Sequence, residues 1–310
     1  MESPKTLVER ASRLEAAPTA VVHRCDAASS AGAADAASAG LIHPWLVGPA
    51  GKIDRAAESA GVDISAFARI DTPHSHASAE RAVAAVREGQ AEALMKGSLH
   101  TDELMQEILR KDAGLRTERR PRHVCVLALA SVHRLYFVTD AAINIYPDLS
   151  VKADIVRNAI DCVAALGLRQ PKIALLSAVE TVTPKIPSTI DAAALCKMAD
   201  RGQIVGGVLD GPLAFDNAVS PEAAAMKGIV SDVAGHADIL VAPDMEAGNM
   251  IAKQMTYLAG AKAAGVVMGA RVPVILTSRA DDRRARLASA AVAALVAAAR
   301  RTAPLPFAES

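Results

Sequence analysis

Aromatic residues are scarce in this sequence, at 3% of 310 positions with a single Trp. A core without rings must be built from Ala, Val, Leu and Ile, and single-stranded nucleic acid would find few stacking surfaces. An excess of one charge is missing too. The 34 basic residues balance 34 acidic ones, so there is no broad electrostatic footprint for nucleic acid. No apolar run approaches the about 18–20 residues of a membrane span. The first stretch, MESPKTLVERASRLEAAP, is amphipathic and charged and does not read as a signal peptide. Four cysteines, Cys25, Cys125, Cys162 and Cys196, lie far apart and form no CxxC. Free buried thiols in a reducing cytoplasm are expected. No GxGxxG follows a strand, no P-loop spacing occurs, and no Ser–His–Asp constellation is visible.

What the sequence does hold is apolar content of 51% with 22% charge, enough for a sizeable core in two domains or one large one. Short apolar runs alternate with Ala-rich helical patterns. The runs are 19–23, 46–49 and 93–97; an Ala-rich helical pattern that Asp26 can cap follows the first, another begins at about Lys52, and two more lie at 79–89 and 99–109. Strand–helix alternation implies a parallel sheet covered by helices on both faces. The pattern breaks at 116–137. There a basic run, RTERRPRH, precedes two strand-like segments with no helix between them. Antiparallel pairing and a change of domain are expected at this point. The basic run itself reads first as a solvated face, and it could also hold a ligand phosphate. Alternation resumes through 151–167, 172–177, 189–200, 204–211 and 237–258, then 266–278 and a last long helix to about Arg301. The division predicted is 1–115 plus 278–310 for one domain and 116–277 for the other.

Polar residues gather where strands end. ADILVAPDMEAGNMIAK (237–253) reads as a strand, a loop carrying Asp244, Glu246, Gly248 and Asn249, and a helix start. Such junctions are where open α/β sheets place ligands, and free N–H groups there favour anions. An ordinary turn explains the same residues. In VLDGPLAFDNAVSPEAAAMKG (208–228), Asp210-Gly211-Pro212 reads as a turn, with Ser220 and Pro221 starting a helix. That leaves Asp210, Asp216 and Asn217 unexplained together. LMKGSLHT (94–101) ends a strand with Lys96, Gly97 and Ser98 at its lip. Lys96 suits a phosphate and Gly97 would let a ligand approach the backbone, while His100 or Thr101 simply begins a helix. TDAAINIYP (139–147), with Asn144, and 176–189 are further polar loops after strands. His74-Ser75-His76 lacks carboxylates at ligand spacing, so no metal is expected there.

PVILTSRADD (273–282) is the sharpest signal. Arg279 entering a helix N-terminus is disfavoured by the dipole unless an anion or carboxylate lies near. With Ser278 as N-cap, Ser278-x-x-Asp281 has capping-box spacing, which turns Asp281 back towards Arg279 and Asp282 away.

Together these motifs resemble the phosphate acetyltransferase/phosphate butyryltransferase family. The resemblance runs from about Ala20 to Ala298, and 185–204 looks closer to the butyryl-type and short members. It implies an α/β protein of two α/β/α domains with a cleft between them, like isocitrate/isopropylmalate dehydrogenases. It implies exchange of a short acyl group between CoA and phosphate (acyl-CoA + phosphate = acyl phosphate + CoA). No metal and no cofactor beyond the substrate CoA is implied, and the expected state is a cytoplasmic homodimer. In the family the Ser-Arg pair sits at the reacting centre, which carries over to Ser278 and Arg279. The acid taken to deprotonate the CoA thiol falls at Ala285 by the acetyl-type pattern and at Asp281 by the butyryl-type pattern. Lys96, Gly97, Ser98, Thr101, Asn144, Asn217, Gly248 and Asn249 are the expected substrate-binding residues. The butyryl-type lean, and small residues such as Gly248, favour acyl groups longer than acetyl. A non-catalytic acyl-CoA-binding regulatory module of the same fold is one alternative. A metal-dependent dehydrogenase on the related fold, using Asp210, Asp216 and Asp244, is another.

Overall fold

The computed structural model describes residues 3–132, 134–277 and 281–302. The chain divides into two units, one holding the described residues up to Pro121 and from Ala263, the other Arg122–Lys262.

In the first unit, β1 (Ala17–Val22) leads through α2 (Ala27–Ser38) to β2 (Ile42–Gly48). Then α3 (Ala50–Ala60), β3 (Ala68–Asp71), α4 (Ser75–Arg87), β4 (Ala93–Lys96) and α5 (Thr101–Ile108) follow. The strand order is β3-β2-β1-β4, continued by β11 (Val274–Ile275) and β10 (Lys262–Met268). All neighbours are parallel except β10–β11. The chain steps outwards from β1 to β3 and then returns past β1 to β4. Right-handed crossovers therefore put α2 and α3 on one face and α4 on the other. The packing agrees. α1 (Pro4–Ala11), α2 and α11 (Arg283–Thr302) form one group with α3, while α4 packs with α5. Strand residues such as Val21, Val22, Leu46 and Leu94 are buried, as parallel strands covered on both faces must be. With so few rings, helices close the core with methyl groups. Every residue from Ala288 to Ala297 of α11 is buried, six of them alanine plus Ser289 among larger aliphatics.

The second unit has the strand order β5 (Arg122–Ala128), β6 (Leu135–Thr139), β9 (Ile239–Val241), β7 (Lys172–Leu176), β8 (Val208–Leu213). As expected from the missing helix, β5 and β6 are antiparallel, whereas β6, β9, β7 and β8 run parallel. Its main helices are α6 (Leu149–Ala165), α7 (Pro187–Asp200) and α10 (Met245–Tyr257), with the short α8 (Phe215–Val219) and α9 (Pro221–Met226) after β8.

The boundaries fall at 121/122 and 262/263, not at 115/116 and 277/278. The reason is pairing: β11 lies beside β4 through Val274–Leu94 and Ile275–Met95, so β10 and β11 belong to the first unit. Arg122 is not a solvated charge either. It opens β5 and is 1% exposed, its Nη1 donating to Asn144 Oδ1 at 2.8 Å. Asp210-Gly211-Pro212 lies inside β8 rather than in a turn, where a Cβ on Gly211 would come within 2.7 Å of Leu175 Cβ. Among the described residues no helix is long and apolar enough to cross a membrane.

Candidate active site

In the first unit the strand order reverses between β1 and β4. The crevice outside the carboxyl ends of strands at such a reversal is the usual ligand position. A cavity opens there. Asp26, Ser29 and Gly32 line it from the start of α2, Lys96 and Gly97 from the end of β4, and Thr277 and Arg286 from the segment after β11 and from α11. Thr277 immediately precedes Ser278. Ser278 and Arg279 lie outside the described residues.

The loop after β1 is held tightly. Asp26 caps α2 by accepting from Ser29 N–H at 2.7 Å. His23 sits at φ 53°, a left-handed conformation rare for a residue with a side chain. The residue is 8% exposed, with ring Nδ1 at 3.1 Å from Ser78 Oγ. Burial, then the charge of Lys52, lowers the His23 pKa. Arg24 is fully buried, and its Nη2 donates to Ser30 O at 2.5 Å. Burial and then Arg69 push its guanidinium down to about 10.

Gly97 and Ser98 stitch the end of β4 onto this loop. Gly97 N–H donates to Val22 O and Ser98 N–H to His23 O, both at 2.9 Å. Ser98 Oγ donates to His23 O at 2.7 Å and accepts from Cys25 N–H at 3.1 Å. A Cβ on Gly97 would stand 2.4 Å from Val22 O. The glycine is therefore demanded by the neighbouring strand, not by an approaching ligand. Lys96 borders the cavity with its ammonium donating to Gly97 O and Leu99 O at 3.2 and 3.0 Å. Thr101 is the first residue of α5 after the His100 cap.

The last helix departs from expectation. α11 begins at Arg283, and its N-cap is Asp282, whose Oδ1 accepts from Ala285 N–H at 2.7 Å. Ser278 thus cannot cap it, and Asp281 is not its third residue. Asp282 wins because a carboxylate is a strong N-cap partner and lies nearest the helix start. Asp281 precedes the cap, its carbonyl accepting from Arg286 Nη1 at 2.5 Å.

In the second unit, Asn144, Asn217, Gly248 and Asn249 all follow parallel strands at their carboxyl edge, as the sequence suggested. Their polar groups are largely spent on the fold. Asp140, 2% exposed, accepts from the N–H groups of Ala142 and Ile143 at 3.0 and 3.1 Å, and from the Asn144 amide. Asp244 caps α10, which begins at Met245, so Glu246, Gly248 and Asn249 belong to the start of the helix rather than to a loop. A Cβ on Gly248 would meet Asp140 O at 2.3 Å, and Asn249 Nδ2 donates to Ala141 O at 3.0 Å. Asn217 is fully buried, its amide donating to Glu180 Oε1 and its Oδ1 without a partner. The acids weighed as metal ligands are likewise engaged locally. Asp210 accepts from its neighbour Gly211 N–H, Asp216 from Asn217 N–H, and Asp244 caps its helix.

A family model described as phosphate acetyl/butaryl transferase matches residues 77–294. The chain belongs to this family. A phosphate acetyltransferase of Rhizobium meliloti is 62% identical over 294 residues, covering 94% of this chain and 93% of the relative. A phosphate butyryltransferase of Clostridium acetobutylicum is 44% identical over 263 residues, covering 85% and 87%. The identities thus run against the expected lean to the butyryl type. Among solved structures, a branched-chain phosphotransacylase from Enterococcus faecalis V583 matches at TM-score 0.77 with 30% identity, covering 90% of this chain and 99% of that one. A 4-hydroxythreonine-4-phosphate dehydrogenase from Klebsiella pneumoniae shares the fold alone, with TM-score 0.55, 14% identity, and coverage of 91% and 100%.

The cavity also shows what sequence reading missed. Arg286 is hidden in the run RRAR, and nothing in its spacing distinguishes it from surface charge. Thr277 and Asp26 were legible only as a strand end and a helix cap.

Proposed function

We propose that this protein exchanges a short acyl group between CoA and phosphate, with acetyl as the first substrate to test. Membership of the phosphate acetyl/butaryl transferase family, with 62% identity to an acetyltransferase over nearly the whole chain, carries the reading. Ser278 and Arg279 stand at the reacting centre and Asp281 takes the thiol proton. The CoA thiolate attacks the carbonyl carbon of the acyl phosphate. A C–S bond forms, the C–O bond to phosphate breaks, and phosphate leaves with the electron pair. An unperturbed thiol ionises at about 8.5, so a nearby base raises the fraction ready to attack. The guanidinium of Arg279 and the hydroxyl of Ser278 offset charge on the oxyanion and on the departing phosphate.

Lys96 and Thr101 border the substrates from the first unit, and Gly97 and Ser98 hold that edge in shape. In the second unit, Asn144, Asn217, Gly248 and Asn249 at the carboxyl edge of its sheet are the proposed substrate-binding residues. The active state is a homodimer in the cytoplasm, a setting that suits four cysteines outside any disulfide.

The reverse direction is the test. Purified protein given acetyl phosphate and CoA should form the thioester and release phosphate one for one. Phosphate release that does not depend on CoA would refute the assignment.

A further inference from the structure

We infer that His23 is a positioning residue for this reaction: its ring, held on Ser78, sets the backbone turn against which the Lys96–Ser98 lip of β4 rests. The inference rests on the proposed function, while the hydrogen bonds behind it do not. The lip leans on one carbonyl. His23 O accepts from Ser98 N–H at 2.9 Å, from Ser98 Oγ at 2.7 Å and from Cys25 N–H at 2.9 Å. Gly97 lies against the same group, since a Cβ there would stand 2.6 Å from His23 O. Lys96 follows in turn, because its ammonium donates to Gly97 O and Leu99 O. The direction of His23 O is thus passed on to a cation that lines the cavity.

That direction comes from the left-handed backbone of His23, at φ 53°. Glycine adopts such a turn without strain, whereas a residue with a Cβ needs something to offset the strain. The His23 N–H donates to Val47 O at 2.7 Å. This fixes the entry to the residue, not the turn that follows it. The ring supplies a hold from α4. Ser78 is fully buried in that helix, and its hydroxyl donates to His74 O at 2.9 Å. Its oxygen is left to accept, from His23 Nδ1–H at 3.1 Å and from the Thr72 hydroxyl at 2.8 Å. Nδ1 therefore carries a proton whether the imidazole is neutral or charged, and the tie survives both states. Turning the ring away would leave a buried donor unpaired. One residue thus carries a buried bond to α4 at its ring and the contacts of the lip at its carbonyl.

The test compares His23→Gly, His23→Asn, Ser78→Ala and Thr72→Val by steady-state kinetics, melting temperature, and hydrogen exchange of the Gly97 and Ser98 amides. Glycine keeps the left-handed turn and loses the donor. Asparagine tolerates the turn, and its amide nitrogen branches from Cγ as Nδ1 does, so it keeps both. A residue that shapes a binding edge moves KM rather than kcat. His23→Gly and Ser78→Ala should raise KM for phosphate by about 5- to 20-fold, with kcat within about threefold of the parent. His23→Asn, and Thr72→Val, which spares the ring's own bond, should keep both constants within about twofold. Exchange at Gly97 and Ser98 should quicken in His23→Gly and Ser78→Ala, and should not in His23→Asn. An unchanged KM in either His23→Gly or Ser78→Ala overturns the inference. So does equal damage in the Gly and Asn variants in step with melting temperature. If the parent itself shows no acyl exchange, the proposed function falls, and hydrogen exchange alone decides His23: unchanged exchange at Gly97 and Ser98 in His23→Gly overturns its role.

Discussion

Gly97→Ala separates two roles for one glycine. The sequence suggests that Gly97 is there so that a ligand can approach the backbone; the structure says that β1 requires it. An alanine Cβ would stand 2.4 Å from Val22 O and 2.6 Å from His23 O. Carbon–oxygen contacts ordinarily begin at about 3.3 Å, so the end of β4 must retreat by about 0.9 Å. The hydrogen bonds Gly97 N–Val22 O and Ser98 N–His23 O, both 2.9 Å, and Ser98 Oγ–His23 O at 2.7 Å would lengthen to the edge of hydrogen-bond range or beyond it. At about 0.5–1.5 kcal/mol each, their loss amounts to about 2–4 kcal/mol. For a domain of this size about 1 kcal/mol moves Tm by 2–4 °C, so a thermal melt should fall by about 5–15 °C. Gly61→Ala is the control. Gly61 has φ 63° with nothing within 4 Å of its Cβ position, so it measures left-handed strain alone, about 1–2 kcal/mol. A Gly97→Ala variant with the parent's Tm and a raised KM would refute the reasoning and return Gly97 to the ligand.

Asp282→Ala should remove the α11 cap and cost about 0.5–2 kcal/mol, while Asp282→Asn, also a good cap, keeps the parent's melt. Asp281→Asn should keep the melt and lower kcat by about 10²–10⁴-fold if Asp281 is the base; an active variant sends the search for the base elsewhere. Arg279→Ala should lose about 2.7–4 kcal/mol of transition-state stabilisation, read from kcat/KM, and Arg279→Lys only part of it. His23 gives a pH signature. Its folded pKa is lowered, so below about 6.5 the unfolded chain binds the proton more readily and stability falls as pH drops. His23→Asn, which tolerates the left-handed backbone, should flatten melting temperature against pH between about 7 and 5.

The fold was legible because hydrophobic runs and Ala-rich periodicity are local signals. The alternation gave the parallel sheet, and the missing helix after 128 gave the one antiparallel step in the second unit. The second domain boundary was not legible, since the partner of β11 is β4, about 180 residues earlier in the chain. The candidate residues lie at the carboxyl edges of the sheets, as polar residues after strands are a local pattern. Their roles were misread where the cause was distant. Gly248 looks like room for a ligand until Asp140 O is seen against it, and Arg286 looks like surface charge until Gly32 and Asp281 are beside it. The cap of α11 was misplaced because Ser278 and Asp282 are both plausible caps in sequence, and only backbone geometry separates them.

The measurement that tests the central claim most directly is CoA thiol release from acetyl-CoA by the purified protein, with and without phosphate, across acyl chains of two to five carbons. The account predicts release only when phosphate, or arsenate in its place, is present, with acetyl-CoA among the substrates turned over. Release that proceeds equally without phosphate, or no turnover with any of these chains, would contradict it.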